Sequence, residues 1–218
     1  MSTTQLVIFD CDGVLVDSEP VANRMLGQML RELGLDLTQE QIFESFVGYS
    51  LPHVLRVIEN MLGRAPPVNF LRDLQARTFE AFATELRAMP GIEDALDRLG
   101  LPFCVASSGD HEKMRTTLGI TGLWPRFAGR IFSVTQVARG KPAPDVYLFA
   151  ARQLGAEPAA CVVVEDTPPG VQAGVAAGMR VFGYCAYTPE HKLKAAGAHL
   201  TFDDLRRLPE LVSMQVRP

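Results

Sequence analysis

Two aspartates stand directly after a short apolar run near the start of the chain. The run is QLVIF (5–9), and Asp10 and Asp12 follow it, just ahead of Gly13. Carboxylates this close repel one another, and each makes ionisation of the other less favourable. A metal ion or an ammonium group beside them would offset that repulsion. The rest of the chain is therefore expected to bring positive charge to this point.

Other groups suited to binding a cation or a phosphate occupy similar positions, just after an apolar run or in a loop before a helix. They are Ser107, Ser108, Lys141, Glu165 and Asp166. In open α/β sheets, ligands bind outside the carboxyl ends of the strands, so these side chains are expected to converge. Converging carboxylates would form a hard oxygen-ligand site suited to Mg²⁺. The lysine, the serines and nearby backbone amides would hold the oxygens of a phosphate.

The elements that must position these residues begin with four short apolar runs, each bounded by Gly, Pro, Asp or Ser. The runs are QLVIF (5–9), PFCVA (102–106), CVVVE (161–165) and RVFGY (180–184). Their length and β-branched content are typical of strands buried on both faces of a parallel sheet. Helical patterns at 110–119, 144–155 and 168–179 alternate with the later runs, which indicates βαβ units. The predicted fold class is α/β, with a Rossmann-like open parallel sheet as its core.

The segment between the first and second apolar runs carries only helical patterns. Leu, Met, Phe and Val recur at helical spacing within 19–34, 38–46, 50–63 and 68–89. We therefore predict an inserted α-helical domain over residues 17–87, and a discontinuous core domain over residues 1–16 and 88–218. Asp17 and Ser18 are expected to cap the first helix of the insert. Two linkers at the ends of an insert form a natural hinge.

Composition narrows the classes of partner. The 218 residues are 47% hydrophobic and 21% charged, which is ordinary for a globular protein. A net charge of −4 without a basic run argues against a nucleic acid partner. No apolar segment reaches the ~18 residues of a membrane span, and the start of the chain lacks the pattern of a signal peptide, so a cytoplasmic protein is expected. The widely separated cysteines are interpreted as free thiols: Cys11, Cys104, Cys161 and Cys185.

Four stretches together resemble the four motifs of the haloacid dehalogenase-like (HAD) superfamily, in the expected order. They are DCDGVLVDSE (10–19), VASSG (105–109), GKPAPDVY (140–147) and VVVEDTPPGVQAGVAAGM (162–179). The helical insert after the first motif resembles the α-helical cap of the branch that includes β-phosphoglucomutase and many sugar-phosphate phosphatases. The end of the core is similar to the 6-phosphogluconate phosphatase type. The resemblance implies an open-sheet core with a cap, and an enzyme that hydrolyses phosphate esters.

The resemblance also implies roles for the two aspartates and for a metal. Asp10 would be the nucleophile that forms an aspartyl-phosphate. Asp12 would protonate the leaving oxygen and then act as base on the attacking water. Mg²⁺ would be the cofactor, bound by the Asp10 side chain, the Asp12 backbone carbonyl and Asp166. Glu165 would support the metal directly or through water.

The remaining motif residues are implied to hold the transferring phosphoryl group. Ser107, the backbone amide of Ser108 and Lys141 would stabilise its charge. The partner would be a small-molecule phosphate ester, of the sugar or sugar-acid phosphate class. Relatives of this branch are often monomers, so a monomer is expected.

Three functions stay open at this point. Phosphoryl transfer is favoured over dehalogenation because Asp12, the second aspartate of the motif, is present. A phosphomutase is disfavoured because the histidine and arginine of β-phosphoglucomutase caps align near Ala22 and Leu51, although Arg24 or Arg77 could substitute. A non-catalytic binding relative would have lost motif residues, and none is lost. Candidates for substrate selection within the insert are Glu19, Asn23, Tyr49, Ser50, His53 and Arg77.

Overall fold

The computed structural model describes residues 3–46 and 51–214. The chain separates into two compact units. One comprises Met1–Asp17 and Arg87–Pro218, and the other comprises Ser18–Leu86. The sequence analysis predicted junctions at residues 16–17 and 87–88.

All regular secondary structure in the described part of the second unit is helical. Its helices are α1 (Glu19–Glu32), α2 (Gln39–Phe46), α3 (Leu51–Leu62) and α4 (Phe70–Glu85). The apolar residues that recur at helical spacing meet in one core, which includes Leu30, Ile42, Ile58 and Phe70. The unit therefore has a core of its own, as expected of an inserted domain.

Ion pairs join the first and last helices of this unit. Arg24 of α1 pairs with Glu85 of α4, and Arg77 of α4 lies 2.5 Å from Glu32 of α1. Both arginines considered as substitutes for a mutase arginine are thus engaged by glutamates within the unit. Tyr49 and Ser50 lie outside the described residues, as does the side chain of His53.

Six parallel strands form a single sheet in the described part of the other unit. They are β1 (Leu6–Phe9), β2 (Phe103–Ser107), β3 (Ile131–Ser133), β4 (Cys161–Glu165), β5 (Arg180–Tyr184) and β6 (Leu200–Phe202). Their order is β3-β2-β1-β4-β5-β6. The reversal of order at β1 puts the ends of β1, β2 and β4 side by side, which is where open α/β sheets bind ligands.

Helices connect the strands of this sheet. They are α5 (Ile92–Arg98), α6 (His111–Ile120), α7 (Trp124–Phe127), α8 (Asp145–Gln153), α9 (Pro168–Ala176), α10 (Glu190–Ala195) and α11 (Leu208–Ser213). On one face, Leu6, Ile8 and Val163 of the sheet pack in one cluster with Tyr147 of α8 and Val171 of α9. On the other face, Phe9 makes an edge contact with Phe127 of α7. Strands buried on both faces explain why their sequences are apolar without alternation.

The predicted α/β class is confirmed, and the four predicted strands correspond to β1, β2, β4 and β5. The sequence did not predict β3 or β6. Each has three residues, which is too short for a periodic pattern to stand out. None of the helices in the described ranges has the length and apolar character that a bilayer crossing requires.

The two linkers between the units run beside one another. The Asp17 amide donates to the Arg87 carbonyl at 2.9 Å, and an antiparallel bridge pairs Val16 with Ala88. Ser18 is the N-cap residue of α1, but its side chain makes no capping hydrogen bond. The Asp17 carboxylate instead accepts a hydrogen bond from the Tyr187 hydroxyl. Ser18 therefore occupies the predicted cap position of α1, without the expected side-chain capping bond.

Candidate active site

Asp10 sits at the carboxyl end of β1, where the strand gives way to a tight loop. Its amide still donates to the Val164 carbonyl of β4 at 2.9 Å, so the strand geometry extends to Asp10 itself. The residue is only 7% exposed. The loop closes when the amides of Leu15 and Val16 both donate to the Cys11 carbonyl. The sheet therefore fixes the first aspartate, and the second lies in the loop that follows it.

A buried lysine lies against Asp10. The Lys141 ammonium donates to Asp10 Oδ1 at 2.5 Å, to Glu165 Oε1 at 2.7 Å and to the Ala106 carbonyl at 3.2 Å. Its side chain is 5% exposed. Residues 131 positions apart in the chain thus meet where β1, β2 and β4 end. This ammonium supplies the positive charge that the aspartate pair was expected to require.

Glu165, the last residue of β4, has both carboxylate oxygens engaged by the protein. Oε1 accepts from Lys141 and from the Tyr147 hydroxyl, at 2.7 and 3.0 Å. Oε2 accepts from the amide and hydroxyl of Thr167, at 2.8 and 2.9 Å. This arrangement disfavours direct metal ligation by Glu165. Its contacts place it instead as the group that orients Lys141.

Asp166 follows Glu165 and faces the loop after β1. It is 3% exposed, and a Cβ atom built on Gly13 would lie 2.1 Å from Asp166 Oδ2. Gly13 also has φ +75°, a conformation that glycine adopts without strain. The sequence therefore lets this carboxylate approach the backbone beside Asp10 and Asp12.

The donor set at this point fits a magnesium ion. Among the described residues, no three His, Cys, Asp or Glu side chains are grouped as a metal site. Magnesium, however, is commonly bound through one or two carboxylates, with waters and phosphate oxygens completing the octahedron. Asp10 and Asp166 provide two such carboxylates on neighbouring strand ends, β1 and β4. The Asp12 backbone carbonyl lies in the loop that follows β1.

Asp12 has a cationic neighbour of its own. The Lys113 ammonium of α6 donates to Asp12 Oδ2 at 2.8 Å. A Cβ atom on Gly109 would lie 3.9 Å from Asp12 Oδ2 and 3.4 Å from Ser107 Oγ. The second aspartate, the first predicted serine and this lysine therefore surround Gly109.

The two predicted serines differ in their surroundings. Ser107 ends β2, is 1% exposed and accepts a hydrogen bond from the Gly109 amide at 3.0 Å. Ser108 is exposed in the loop that precedes α6. The loop is anchored by Ser133, whose hydroxyl donates to the Gly109 carbonyl at 2.7 Å. Asp110 caps α6 by accepting from the Lys113 amide.

Burial and charge perturb the titration of this cluster. Burial raises the pKa of Asp10 to about 7; Lys141 opposes the rise, while Glu165 and Asp12 add to it. Burial alone would lower the pKa of Lys141, but Asp10 and Glu165 raise it well above its usual value. Burial, Asp12 and Asp10 raise the pKa of the Cys11 thiol well above its usual range. Cys11 is thus unsuited to act as a thiolate nucleophile, and all four cysteines are free, as predicted.

Four residues of this cluster were not predicted as site residues. They are Lys113, Ser133, Tyr147 and Thr167. Tyr147 and Thr167 both lie within the recognised motifs, Thr167 two residues after Glu165. Their position in the motifs could therefore have identified them. Lys113 is one of two lysines near the middle of the chain, and nothing in its local pattern separates it from a solvated helix residue.

The fold and this cluster define a hydrolase of the HAD type, and the family is established by comparison. The family model described as haloacid dehalogenase-like hydrolase matches residues 4–178. The chain therefore belongs to the haloacid dehalogenase-like hydrolases. The predicted superfamily, and with it the class of phosphoric monoester hydrolases, is confirmed.

Individual relatives cover most of the chain. The 6-phosphogluconate phosphatase of Escherichia coli is 34% identical over 215 residues, 97% of this chain and 96% of the relative. Hexitol phosphatase A of the same organism is 36% identical over 179 residues, 80% of each chain. A HAD family hydrolase from Deinococcus radiodurans, solved with bound phosphate and sodium, is 32% identical with a TM-score of 0.82, covering 95% of this chain and 94% of that one.

Proposed function

We propose that the protein is a Mg²⁺-dependent phosphatase that hydrolyses sugar or sugar-acid phosphates through an aspartyl-phosphate on Asp10. The observation that carries this proposal is the buried Asp10 carboxylate, held 2.5 Å from the Lys141 ammonium at the carboxyl edge of the sheet. A carboxylate fixed beside a cation can attack phosphorus while the cation offsets the charge of the phosphoryl oxygens.

The first half-reaction transfers the phosphoryl group to the enzyme. An Asp10 oxygen bonds to phosphorus, and the bond from phosphorus to the ester oxygen breaks. Asp12 gives its proton to the departing oxygen, so an alcohol leaves. Lys141, the Ser107 hydroxyl and the Ser108 amide stabilise the oxygens of the group in transfer.

The second half-reaction restores the enzyme. Asp12, now a carboxylate, takes a proton from a water molecule that attacks the phosphorus of the aspartyl-phosphate. The bond between phosphorus and Asp10 breaks, and inorganic phosphate leaves. Glu165 and Tyr147 keep Lys141 in place through both steps, because the ammonium contacts the Glu165 carboxylate and lies 4.7 Å from the centre of the Tyr147 ring.

The metal would be held by the carboxylates of Asp10 and Asp166 and the Asp12 carbonyl. When bound, Mg²⁺ supplies positive charge to the phosphoryl group and favours the ionised form of Asp10. That effect matters because burial, opposed by Lys141 and reinforced by Glu165 and Asp12, raises the pKa of Asp10 to about 7. Glu165 is left out of this ligand set because its oxygens are engaged by Lys141, Tyr147 and Thr167.

The substrate class is inferred from relatives. Two relatives are named as phosphatases of 6-phosphogluconate and of hexitols, and both names refer to six-carbon compounds. We infer a preference for this chemistry, with the acid and the polyol forms as the first pair to compare.

The test is phosphate release from purified protein with 6-phosphogluconate, glucitol 6-phosphate and β-glucose 1-phosphate, each with Mg²⁺ and with a chelator. We expect release from at least one six-carbon phosphate, and loss of release on chelation that added Mg²⁺ reverses. No release from any substrate with Mg²⁺ would reject the phosphatase. Conversion of β-glucose 1-phosphate to the 6-phosphate without free phosphate would identify a mutase.

A further inference from the structure

Lys113 is a cation of the cluster that the proposed reaction does not yet use. It lies in the first turn of α6, and its amide donates to Asp110 Oδ1 at 2.7 Å, which fixes its backbone at the start of the helix. Its ammonium donates to Asp12 Oδ2 at 2.8 Å across 101 residues of chain. Both side chains are largely sheltered, with 32% of Lys113 and 21% of Asp12 exposed.

The stem of this lysine lies close to the backbone of the loop after β2. A Cβ atom on Gly109 would lie 3.3 Å from Lys113 Cδ, tighter than ordinary van der Waals contact. The same loop is held by hydrogen bonds from the Gly109 amide to Ser107 and from the Ser133 hydroxyl to the Gly109 carbonyl. Lys113 therefore reaches Asp12 from a fixed base.

We propose that Lys113 is a positioning residue that holds the Asp12 side chain for the hydrolytic half-reaction. This role rests on the proposed function, since Asp12 must act on a leaving oxygen and then on water. The ammonium contacts one oxygen of Asp12 and so fixes the direction of the other. Lys113 itself acts through Asp12.

The hydrolytic half depends more on this orientation than the first half does. In the first half, the binding of the substrate itself places the leaving oxygen. In the second half, the attacking water has no other bound part to position it. Its alignment with phosphorus therefore depends on the carboxylate that accepts its proton. A misplacement of about 1 Å in such a group can lower a rate about 100-fold.

The test separates the two halves with p-nitrophenyl phosphate, whose leaving group departs as an anion without help from an acid. The full-length protein with Mg²⁺ is mixed rapidly with this ester, and nitrophenolate is followed through the first and later turnovers. Lys113→Met is compared with Lys113→Arg, and Lys192→Met on the exposed surface of α10 is the matched control. Lys113→Gln replaces the methionine variant if the latter does not fold.

We expect Lys113→Met to keep the first turnover within about 3-fold of wild type and to lower the steady rate at least about 10-fold. One nitrophenolate per site would then appear before a slow phase. Lys113→Arg should recover part of the steady rate, and Lys192→Met should match wild type.

Two results would overturn this role. In one, the first turnover and the steady rate of Lys113→Met fall together, as they would if the lysine served phosphate binding or folding. In the other, neither rate changes. Failure of the wild-type protein to release any nitrophenolate is a different outcome, because it rejects the phosphatase itself.

Discussion

Two buried carboxylates share one ammonium group in this protein. Asp10 and Glu165 both contact Lys141, and all three side chains are at most about a tenth exposed. Removing the shared ammonium would leave both buried carboxylates without their cation, whereas removing one carboxylate would leave the other pair intact. The positions therefore differ in their effects on stability and on the reaction.

Asp10→Asn tests the nucleophile. The amide keeps the shape of the side chain and Lys141 keeps Glu165, so we expect the free energy of unfolding to stay within about 1 kcal/mol of wild type. Phosphate release should fall at least about 10³-fold, because the attacking carboxylate is gone. Urea unfolding and a phosphate assay measure the two effects. Activity near the wild-type level would remove Asp10 from its role.

Lys141→Met tests the shared cation. The variant leaves two buried carboxylates without an ammonium, so we expect unfolding to become easier by about 3 kcal/mol and turnover to be lost. Urea unfolding measures the first effect, and Lys192→Met on α10 controls for loss of a lysine. A stability equal to wild type would mean that the triad contributes nothing to the fold.

At the level of single residues, the sequence predicted which groups end the strands but not how they pair. Asp10 and Asp166 each follow an apolar run, and Lys141 lies in the recognised motif GKPAPDVY (140–147); these are local signals. The pairing of Lys113 with Asp12 and of Tyr147 with Glu165 depends on rotamers and on packing between distant segments. No local pattern contains that information. The sequence therefore led to a metal role for Glu165, whereas its contacts with Lys141, Tyr147 and Thr167 support the positioning role proposed here.

At the level of the elements, helix α9 shows how one spacing serves several purposes. Gly170, Gly174 and Gly178 recur every four residues, a spacing that predicts close packing of a helix on the sheet. That holds for Gly174, where an added Cβ would lie 2.6 Å from Val181 Cγ2. Gly178 instead has φ +72° after the helix ends, with nothing near its Cβ position.

Gly170→Ala tests the contact between the remaining glycine of this series and Glu165. An added Cβ would lie 1.6 Å from Glu165 Oε1, so the carboxylate must move and Lys141 must lose its place. We expect kcat/KM to fall at least about 10-fold and stability to fall by about 1–3 kcal/mol. The measurements are steady-state kinetics and urea unfolding.

Gly119→Ala is the matched control for that variant. Gly119 lies within α6 and has open space around its Cβ position. Alanine there should leave kcat/KM unchanged and can raise helix stability by up to about 1 kcal/mol. Equal losses in the two variants would show that the contact with Glu165 is not the cause.

At the scale of the whole molecule, the longer strands of the sheet could be predicted from the sequence and the shorter ones could not. The central strands β1 and β4 carry four and five consecutive buried residues, and they were predicted. The short strands β3 and β6 are held by pairing with β2 and β5, so their existence depends on neighbours already in place. The inserted helical unit was recognisable because its apolar residues follow a different period.

Acid should weaken the fold through the edge of the sheet. His199 accepts a hydrogen bond from the Val181 amide at Nδ1, 3.0 Å away, which requires the neutral ring at that atom. Burial and then Arg180 lower the pKa of His199 below its usual value. The unfolded chain therefore binds a proton at this histidine more readily than the folded chain does. The stabilisation that neutral His199 gives is fully present above pH ~6.5 and is lost as the pH falls below that value.

His199→Asn measures that contribution. The free energy of unfolding is compared at pH 8 and pH 5 for wild type, His199→Asn and the exposed control His191→Asn. We expect His199→Asn to lose less stability on acidification than wild type, and His191→Asn to follow wild type. A wild-type decline that persists unchanged in His199→Asn would assign the acid sensitivity to other groups.

The paired linkers have one more consequence. Because Asp17 and Arg87 are joined by a hydrogen bond, the gap that an insert must bridge is one strand spacing, whatever number of residues it contains. A longer, shorter or unrelated module could be spliced between these two points without altering the ends that the sheet unit presents. Substrate selection by the insert and phosphoryl chemistry in the sheet unit could then change separately, either in evolution or in engineered domain exchange.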